Sequence, residues 1–192
     1  WQGKLMTFKL KLKEYMRKRQ RALLICPAAL RDSSWDKFSN DYSLYIETLS
    51  FEELAQDKQV HHPIQRPNSD ADNLKRKLDE YQLIIIDEAH NYRNPDSQYR
   101  AGALRALLYG LRKDVLMLTA TPVNNSLWDL YNLTSFFLKQ DSLLANKGIL
   151  SIRRRFEDAM RTDPTNLSPD VLYPIVDATT VKRTRKFIKK YY

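Results

Sequence analysis

The sequence has little cysteine, little glycine and no long apolar run. Cys26 is the only cysteine among 192 residues, which excludes an internal disulfide and a zinc site built from several cysteines. No apolar run approaches the roughly 20 residues that a membrane-spanning helix needs. The first twenty residues mix lysine, arginine and leucine, unlike the apolar block of a secretion signal. These absences predict a protein of the reducing cytoplasm with no membrane partner.

Positive charge is concentrated at the two ends of the chain. The net charge is +9, with +7 on residues 1–21 and +6 on residues 182–190, so the residues between them carry −4. Two basic ends around a mildly acidic middle fit the phosphate backbone of a nucleic acid. Solvated helix faces give the same composition, and charge alone does not decide between the two interpretations.

Short apolar runs alternate with segments of helical periodicity. Runs of four apolar residues predict strands covered on both faces at 23–26, 83–86 and 115–118, and strand-forming residues cluster at 45–49. Apolar residues at helical spacing predict helices at 5–19, 28–38, 97–111 and 126–138, with weaker ones at 74–78, 151–161 and 170–177. Residues 58–73 are polar and predict a surface loop. The alternation predicts an α/β fold with a mostly parallel sheet.

Aromatic residues occupy several of the predicted helices. Because they follow helical spacing, core packing accounts for them better than stacking on nucleic-acid bases. The set comprises Trp35, Trp128, Tyr131, Phe136 and Phe137.

Polar or special residues follow three of the predicted strands. Pro27 follows the first, the pair Asp87-Glu88 follows the strand at 83–86, and Thr119 follows the strand at 115–118. Ligands of open parallel sheets bind beyond the carboxyl ends of the strands. We therefore expect these three strand ends to converge on one site.

The acid pair has the chemistry of a nucleotide–Mg²⁺ site. One carboxylate can hold Mg²⁺ through its water shell, and the next can orient or deprotonate the water that attacks a phosphate. Acid pairs also occur at ordinary strand ends. The complete string Ile-Ile-Ile-Asp-Glu-Ala-His at residues 84–90 favours the functional interpretation.

This string resembles the Walker B box, or motif II, of superfamily-two helicases. Residues 118–125, Leu-Thr-Ala-Thr-Pro-Val-Asn-Asn, resemble motif III of the Swi/Snf-type branch, and residues 24–28 resemble motif Ia. Residues 87–94 match the extended motif II of bacterial members, while residues 128–131 and 182–185 resemble segments located after motif III in the same proteins. The resemblance covers nearly the whole chain.

The resemblance implies the first RecA-like lobe of a Swi/Snf-type ATPase, with the three-layer fold of P-loop NTPases and helices on both faces of the sheet. Residues 1–140 then form the core of the lobe. Residues 141–192 form a helical extension and a basic linker toward a second RecA-like lobe of the same polypeptide.

The resemblance also implies a role for individual residues. Asp87 helps to place Mg²⁺ through water, Glu88 activates the attacking water, and His90 senses the nucleotide. Thr119 and Thr121 couple the state of the bound nucleotide to the DNA-binding side. The residues implied in DNA contact are Pro27, Arg31, Ser50 and Asn94.

The phosphate-binding loop of the family is the least complete motif. That loop ends in Gly-Lys-Thr or Gly-Lys-Ser, whose amides, lysine and hydroxyl bind phosphates and Mg²⁺. Gly3-Lys4 stands where the loop would end, so Lys4 is the expected phosphate ligand, but Leu5 replaces the hydroxyl residue. Either the chain begins inside this loop or the site is degenerate.

The implied function is DNA-dependent hydrolysis of ATP, with Mg²⁺, coupled to movement on double-stranded DNA in the bacterial cytoplasm at the nucleoid. The second lobe supplies arginine fingers in this family, so the isolated chain is expected to hydrolyse ATP poorly or not at all. Two alternatives stay open. One is a non-catalytic, degenerate RecA-like module that binds DNA or protein, which Leu5 favours. The other is the motor subunit of a restriction or defence complex.

Overall fold

The structure is a computed structural model that describes residues 2–56, 80–94, 98–109, 112–162 and 171–181, with backbone alone for 2–7, 98 and 99. The predicted loop at 58–73, the predicted helix at 74–78 and the basic segment at 182–190 lie outside the described residues. The chain packs as two compact units, Trp1–Ala120 and Thr121–Tyr192. Among the helices described, none is long and apolar enough to cross a membrane.

Within its described residues, the first unit is built on four parallel strands. They are β1 (Arg21–Cys26), β2 (Glu47–Ser50), β3 (Tyr81–Ile86) and β4 (Asp114–Met117), and they lie side by side in the order β2-β1-β3-β4. The α-helices described in this unit are α1 (Gln2–Arg17), α2 (Ala28–Leu30), α3 (Asp36–Asp41), α4 (Phe51–Gln56) and α5 (Gln98–Leu107). The predicted parallel α/β fold is confirmed.

Helices cover both faces of the sheet. Residues 22–26 of β1 and 83–86 of β3 are buried without interruption, and because alternate side chains point to opposite faces, both faces must be shielded from water. One face packs against Phe8, Leu12 and Tyr15 of α1. On the other side α4 contacts β1 and β2, and α5 packs on α4.

The strand β4 differs from its prediction. Residues 115–117 are only half-buried. The strand ends at Met117, one residue before the predicted end, and Leu118 is buried but lies outside the strand. β4 lies at the edge of the sheet and has one neighbouring strand among those described. The expectation of a strand covered on both faces was therefore wrong for β4, because an apolar run does not reveal its position in the sheet.

The predicted helix at 28–38 is interrupted. A π-helical segment, Arg31–Trp35, separates α2 from α3, and the amide of Asp36 donates to the carbonyl oxygen of Arg31. A π turn inserts one extra residue and changes the directions of the side chains that follow. Trp35 and Phe38 are buried against α1, as a core interpretation of Trp35 requires.

The second unit contains three α-helices within its described residues: α6 (Leu127–Ser135), α7 (Ile152–Arg161) and α8 (Tyr173–Thr179). Ile152 and Phe156 of α7 and Ile175 of α8 are buried together, with Trp128 and Tyr131 of α6 packed against them. The aromatic residues of α6 thus pack in a core, as predicted.

Candidate active site

The four strands end at the same edge of the sheet. Cys26 is paired with Ser50, Ile25 with Ile86, and Ile86 with Met117. Residues that follow these positions therefore lie along a single edge, where open parallel sheets bind ligands. The predicted convergence of the strand ends is confirmed.

Asp87 is held at the centre of this edge. The residue is 3% exposed, and its amide continues the sheet by donating to the carbonyl oxygen of Ile25 at 2.8 Å. Its carboxylate oxygens accept hydrogen bonds of 2.9 Å from the indole Nε1 of Trp35 and from the amide of Glu88. A buried carboxylate needs such donors, because burial without them is costly.

Glu88 has an unusual backbone conformation directly after Asp87. Its φ of 48° and ψ of 46° lie in the left-handed region, which costs about 1–3 kcal/mol for a non-glycine residue. Its side chain is 23% exposed, and Oε2 lies 3.1 Å from Nδ1 of His90. The contact lacks the geometry of a hydrogen bond. The turn thus places beside Asp87 a second carboxylate that is more exposed than the first.

Motif II and the end of β4 are joined by backbone hydrogen bonds. The amide of Leu118 donates to the carbonyl oxygen of Ile86 at 2.8 Å, and the amide of Ala89 donates to that of Leu118 at 2.9 Å. Thr119 directly follows Leu118 and is half-buried. The first threonine of motif III is therefore one residue from a direct contact with the Asp87–His90 turn.

Arg31 and Ser50 are connected through Glu53, which the sequence analysis did not single out. Nη1 of Arg31 lies 2.8 Å from each carboxylate oxygen of Glu53. Glu53 Oε2 accepts from the amide of Ser50 at 2.7 Å, and Ser50 Oγ accepts from the amide of Glu53 at 3.0 Å. This reciprocal pair is a capping box at the start of α4. The Ser-Phe-Glu-Glu string at 50–53 carried that signal.

The charges of this cluster are mutually stabilised. The hydrogen bond from the Ser50 amide, with Arg31 nearby, holds the pKa of Glu53 below its ordinary value. Hydrogen bonds to Asp32 and Glu53 raise the pKa of Arg31. Both groups are therefore ionised at neutral pH.

The positions of Pro27 and Asn94 say less about a role in DNA contact. Pro27 directly precedes α2, and its carbonyl oxygen accepts from the amides of Leu30 and Arg31 at 2.9 and 3.2 Å. Because proline has no amide hydrogen, it also ends the ladder of β1. Asn94 is an exposed residue at the end of its described segment.

The backbone of Gly3-Lys4 lies in the first turn of α1. The direction of that helix follows from two contacts: Phe8 packs edge-on against Trp35 at 4.8 Å, whereas Tyr15 donates a hydrogen bond to Asp114 at the start of β4. Trp35 contacts Asp87 at the carboxyl edge, and Asp114 marks the amino edge. The start of α1 is therefore directed toward the carboxyl edge.

The donor set suits a cation that arrives with a nucleotide. Among the residues that the structure describes, no three metal-ligating side chains form a group. Mg²⁺ is commonly held by one or two carboxylates, water and substrate phosphates, without a cage made wholly of protein. Asp87 and Glu88 offer such carboxylates, while Cys26 does not compete for the cation, because burial and then the charge of Asp87 raise the pKa of its thiol to about 12.

The remainder of motif III lies in the second unit, which begins at the exposed Thr121. Asp129 Oδ2 accepts from the amides of Asn124 and Asn125 at 2.8 and 2.9 Å. Ser126 caps α6 by accepting from the amide of Trp128. The loop after Pro122 is thus fixed by the helix that follows it.

The chain is similar in sequence to a known domain family and to several known proteins. The SNF2-related domain family matches residues 18–190. Helicase SWR1 of Kluyveromyces lactis is 38% identical over 74 residues, which cover 38% of this chain and 4% of that protein. Helicase swr1 of Emericella nidulans is 32% identical over 110 residues, or 57% of this chain and 5% of that protein. The chain therefore corresponds to a small part of these relatives.

A solved structure shares the fold. The Sulfolobus solfataricus SWI2/SNF2 ATPase core in complex with double-stranded DNA superposes with a TM-score of 0.63 at 17% sequence identity, covering 95% of this chain and 38% of that one. The fold of the sheet and its helices, already expected to be RecA-like, agrees with that structure. With the family match spanning most of the sequence, this chain belongs to the SNF2-related domain family, as a first RecA-like lobe of the Swi/Snf-type, superfamily-two helicase-like proteins.

Proposed function

We propose that the chain is the part of a DNA-dependent ATPase that binds nucleotide and duplex DNA, and that the full-length protein couples ATP hydrolysis to movement on double-stranded DNA. The observation that carries this proposal is the acid pair at the carboxyl edge of the sheet, where a buried Asp87 is followed by an accessible Glu88. Family membership supports the same activity.

The two acids have different tasks in this proposal. Asp87 is buried and fixed by two donors, which suits a carboxylate that holds Mg²⁺ through water. Mg²⁺ would supply electrostatic stabilisation of the phosphate oxygens. Glu88 is more accessible and lies against His90, which suits a carboxylate that orients water and receives its proton. Lys4 is the proposed phosphate ligand.

The coupling residues follow from the same arrangement. His90 lies in the turn whose Ala89 amide is bonded to Leu118, so a change at His90 has a short route to Thr119. We propose that Thr119 and Thr121 carry this change toward the DNA, and that Pro27, Arg31, Ser50 and Asn94 line the DNA path. Since the hydroxyl of Ser50 caps α4, Arg31 is the strongest phosphate contact in that group.

ATP hydrolysis by the full-length protein tests the proposal. The rate is measured with and without duplex DNA for the wild type, for Glu88→Gln and for Glu52→Gln, which removes an exposed carboxylate in α4. We expect DNA to raise the wild-type rate, Glu88→Gln to lower it by at least about 10²-fold, and Glu52→Gln to leave it nearly unchanged. Displacement of a third strand from a DNA triplex then tests movement on the duplex.

Two other results would redirect the interpretation. If the wild type and both variants bind duplex DNA but none hydrolyses ATP, the non-catalytic RecA-like module is favoured. Its support in the sequence is Leu5, which stands where the family has a hydroxyl residue. Strong hydrolysis by the isolated 192-residue chain would contradict our expectation that arginine fingers of a second lobe are needed for turnover.

A further inference from the structure

Trp35 combines two features that core packing alone does not require. It is 1% exposed, and its ring makes edge contacts with Phe8 at 4.8 Å and Phe38 at 5.9 Å. Its Nε1 also donates to Asp87 Oδ2 at 2.9 Å. A phenylalanine could make similar ring contacts, whereas the indole N–H adds a hydrogen bond to one carboxylate oxygen.

This hydrogen bond is well suited to fixing a carboxylate. The indole nitrogen is a donor only, so the bond requires an oxygen acceptor and sets the direction of that oxygen. A bond to an ionised group is stronger than one between neutral groups. Because the ring is enclosed by Phe8 and Phe38, the direction of the N–H is itself fixed.

The backbone explains how Trp35 reaches Asp87, which lies 52 positions away in the sequence. Trp35 is the last residue of the π-helical segment that began at Arg31. A π turn adds one residue to the helical turn and so rotates the side chains that follow. The insertion ends at the residue that contacts Asp87.

We propose that Trp35 is a positioning residue for Asp87, and that its indole N–H holds the carboxylate in the orientation that binds the nucleotide's divalent cation. Trp35 contacts neither nucleotide nor cation in this role. It acts through the orientation of Asp87, as outer groups do when they orient the ligands of a metal. The inference rests on the proposed ATPase function.

The test uses the full-length protein with Mn²⁺ as the probe, in the presence of ADP, where no hydrolysis occurs. Bound Mn²⁺ is measured by electron paramagnetic resonance for the wild type, Trp35→Phe and Phe8→Leu. Trp35→Phe retains an aromatic ring and removes the N–H. Phe8→Leu loosens the same aromatic cluster and retains the N–H, so it is the matched control.

We expect Trp35→Phe to weaken Mn²⁺ binding by about ten-fold, the lower end of the range for groups that orient metal ligands. ADP affinity without a divalent cation should be unchanged. Phe8→Leu should lower the melting temperature through the cavity that it leaves. It should keep the Mn²⁺ midpoint within about two-fold, because Phe38 and the rest of the buried core still hold the indole ring. Excess Mg²⁺ should restore most of the ATPase rate of Trp35→Phe.

Equal Mn²⁺ midpoints in the wild type and Trp35→Phe would overturn the positioning role while leaving the ATPase proposal intact. Equal shifts in Trp35→Phe and Phe8→Leu would also overturn it, since packing would then explain both. If Trp35→Phe does not fold, benzothienylalanine placed at position 35 keeps the ring size and removes the donor, and unchanged Mn²⁺ binding by that protein would again refute the role. No Mn²⁺ binding by the wild type with ADP would refute both proposals.

Discussion

Arg31 and Glu53 form a two-point ion pair, with Nη1 of the guanidinium 2.8 Å from each carboxylate oxygen. The pair joins the π-helical segment that follows β1 to the start of α4, which follows β2. Arg31, which we propose contacts DNA at the carboxyl edge, is therefore partly neutralised by the carboxylate of Glu53. Duplex phosphates and Glu53 must therefore compete for Arg31.

Removing this competitor should strengthen DNA binding. Glu53→Gln keeps an oxygen that can accept from the Ser50 amide but removes the negative charge. Nη1 of Arg31 then becomes available to a phosphate, while Nε stays bonded to Asp32 at 2.8 Å. We expect the Kd for duplex DNA to fall about two- to five-fold at low salt, and the slope of log Kd against log salt to steepen by up to about 0.9. Fluorescence anisotropy with labelled duplex measures both quantities.

Glu52→Gln is the control for this experiment. It changes the net charge by the same amount at the neighbouring position, and it frees Arg100, to which Glu52 is bonded at 2.7 Å. An equal gain in affinity for Glu52→Gln would show that loss of any carboxylate in this turn strengthens binding, and that the release of Arg31 has no special effect.

The capping box at Ser50 should contribute local stability to α4. Ser50→Ala removes the acceptor for the Glu53 amide, and the loss of such a cap costs about 1 kcal/mol. Amide hydrogen exchange in Phe51–Gln56 should therefore become about five-fold faster. Ser126→Ala removes the cap of α6 in the second unit. It should leave amide exchange in Phe51–Gln56 unchanged. Acceleration of Phe51–Gln56 by both substitutions would contradict a local effect.

The strands and the polar residues at their ends could be predicted from the sequence, but the contacts between these residues could not. Runs such as 83–86 indicated buried strands because burial on both faces requires uninterrupted apolar residues. The direction of parallel strands then placed Asp87 and Thr119 at one edge. The bond from Trp35 to Asp87 depends on a π turn and on tertiary packing, neither of which has a local pattern. The capping box at 50–53 could be predicted from the sequence, whereas the ion pair between Glu53 and Arg31 could not.

Cys26 should be unreactive in the folded protein. It is fully buried, and burial and the charge of Asp87 raise the pKa of its thiol to about 12. Alkylation requires the thiolate, which is absent until the pH approaches that value. Iodoacetamide at pH 8 should leave Cys26 unmodified in the native protein and modify it completely in denaturant, as measured by mass spectrometry of its peptide. Rapid native labelling would show that the end of β1 opens readily.

The left-handed backbone conformation of Glu88 should destabilise its turn, although the proposed hydrolysis needs the carboxylate of this residue. Its φ of 48° is readily adopted by glycine and unfavourable for residues with a Cβ. Glu88→Gly should therefore stabilise the Ala89–Tyr92 turn by about 1 kcal/mol, seen as slower amide exchange, while hydrolysis is lost. Glu88→Ala removes the same carboxylate but keeps the Cβ, so it should lose hydrolysis without the gain in stability. If alanine stabilises the turn as much as glycine, the gain comes from removing a carboxylate beside Asp87, and the backbone strain at Glu88 is negligible.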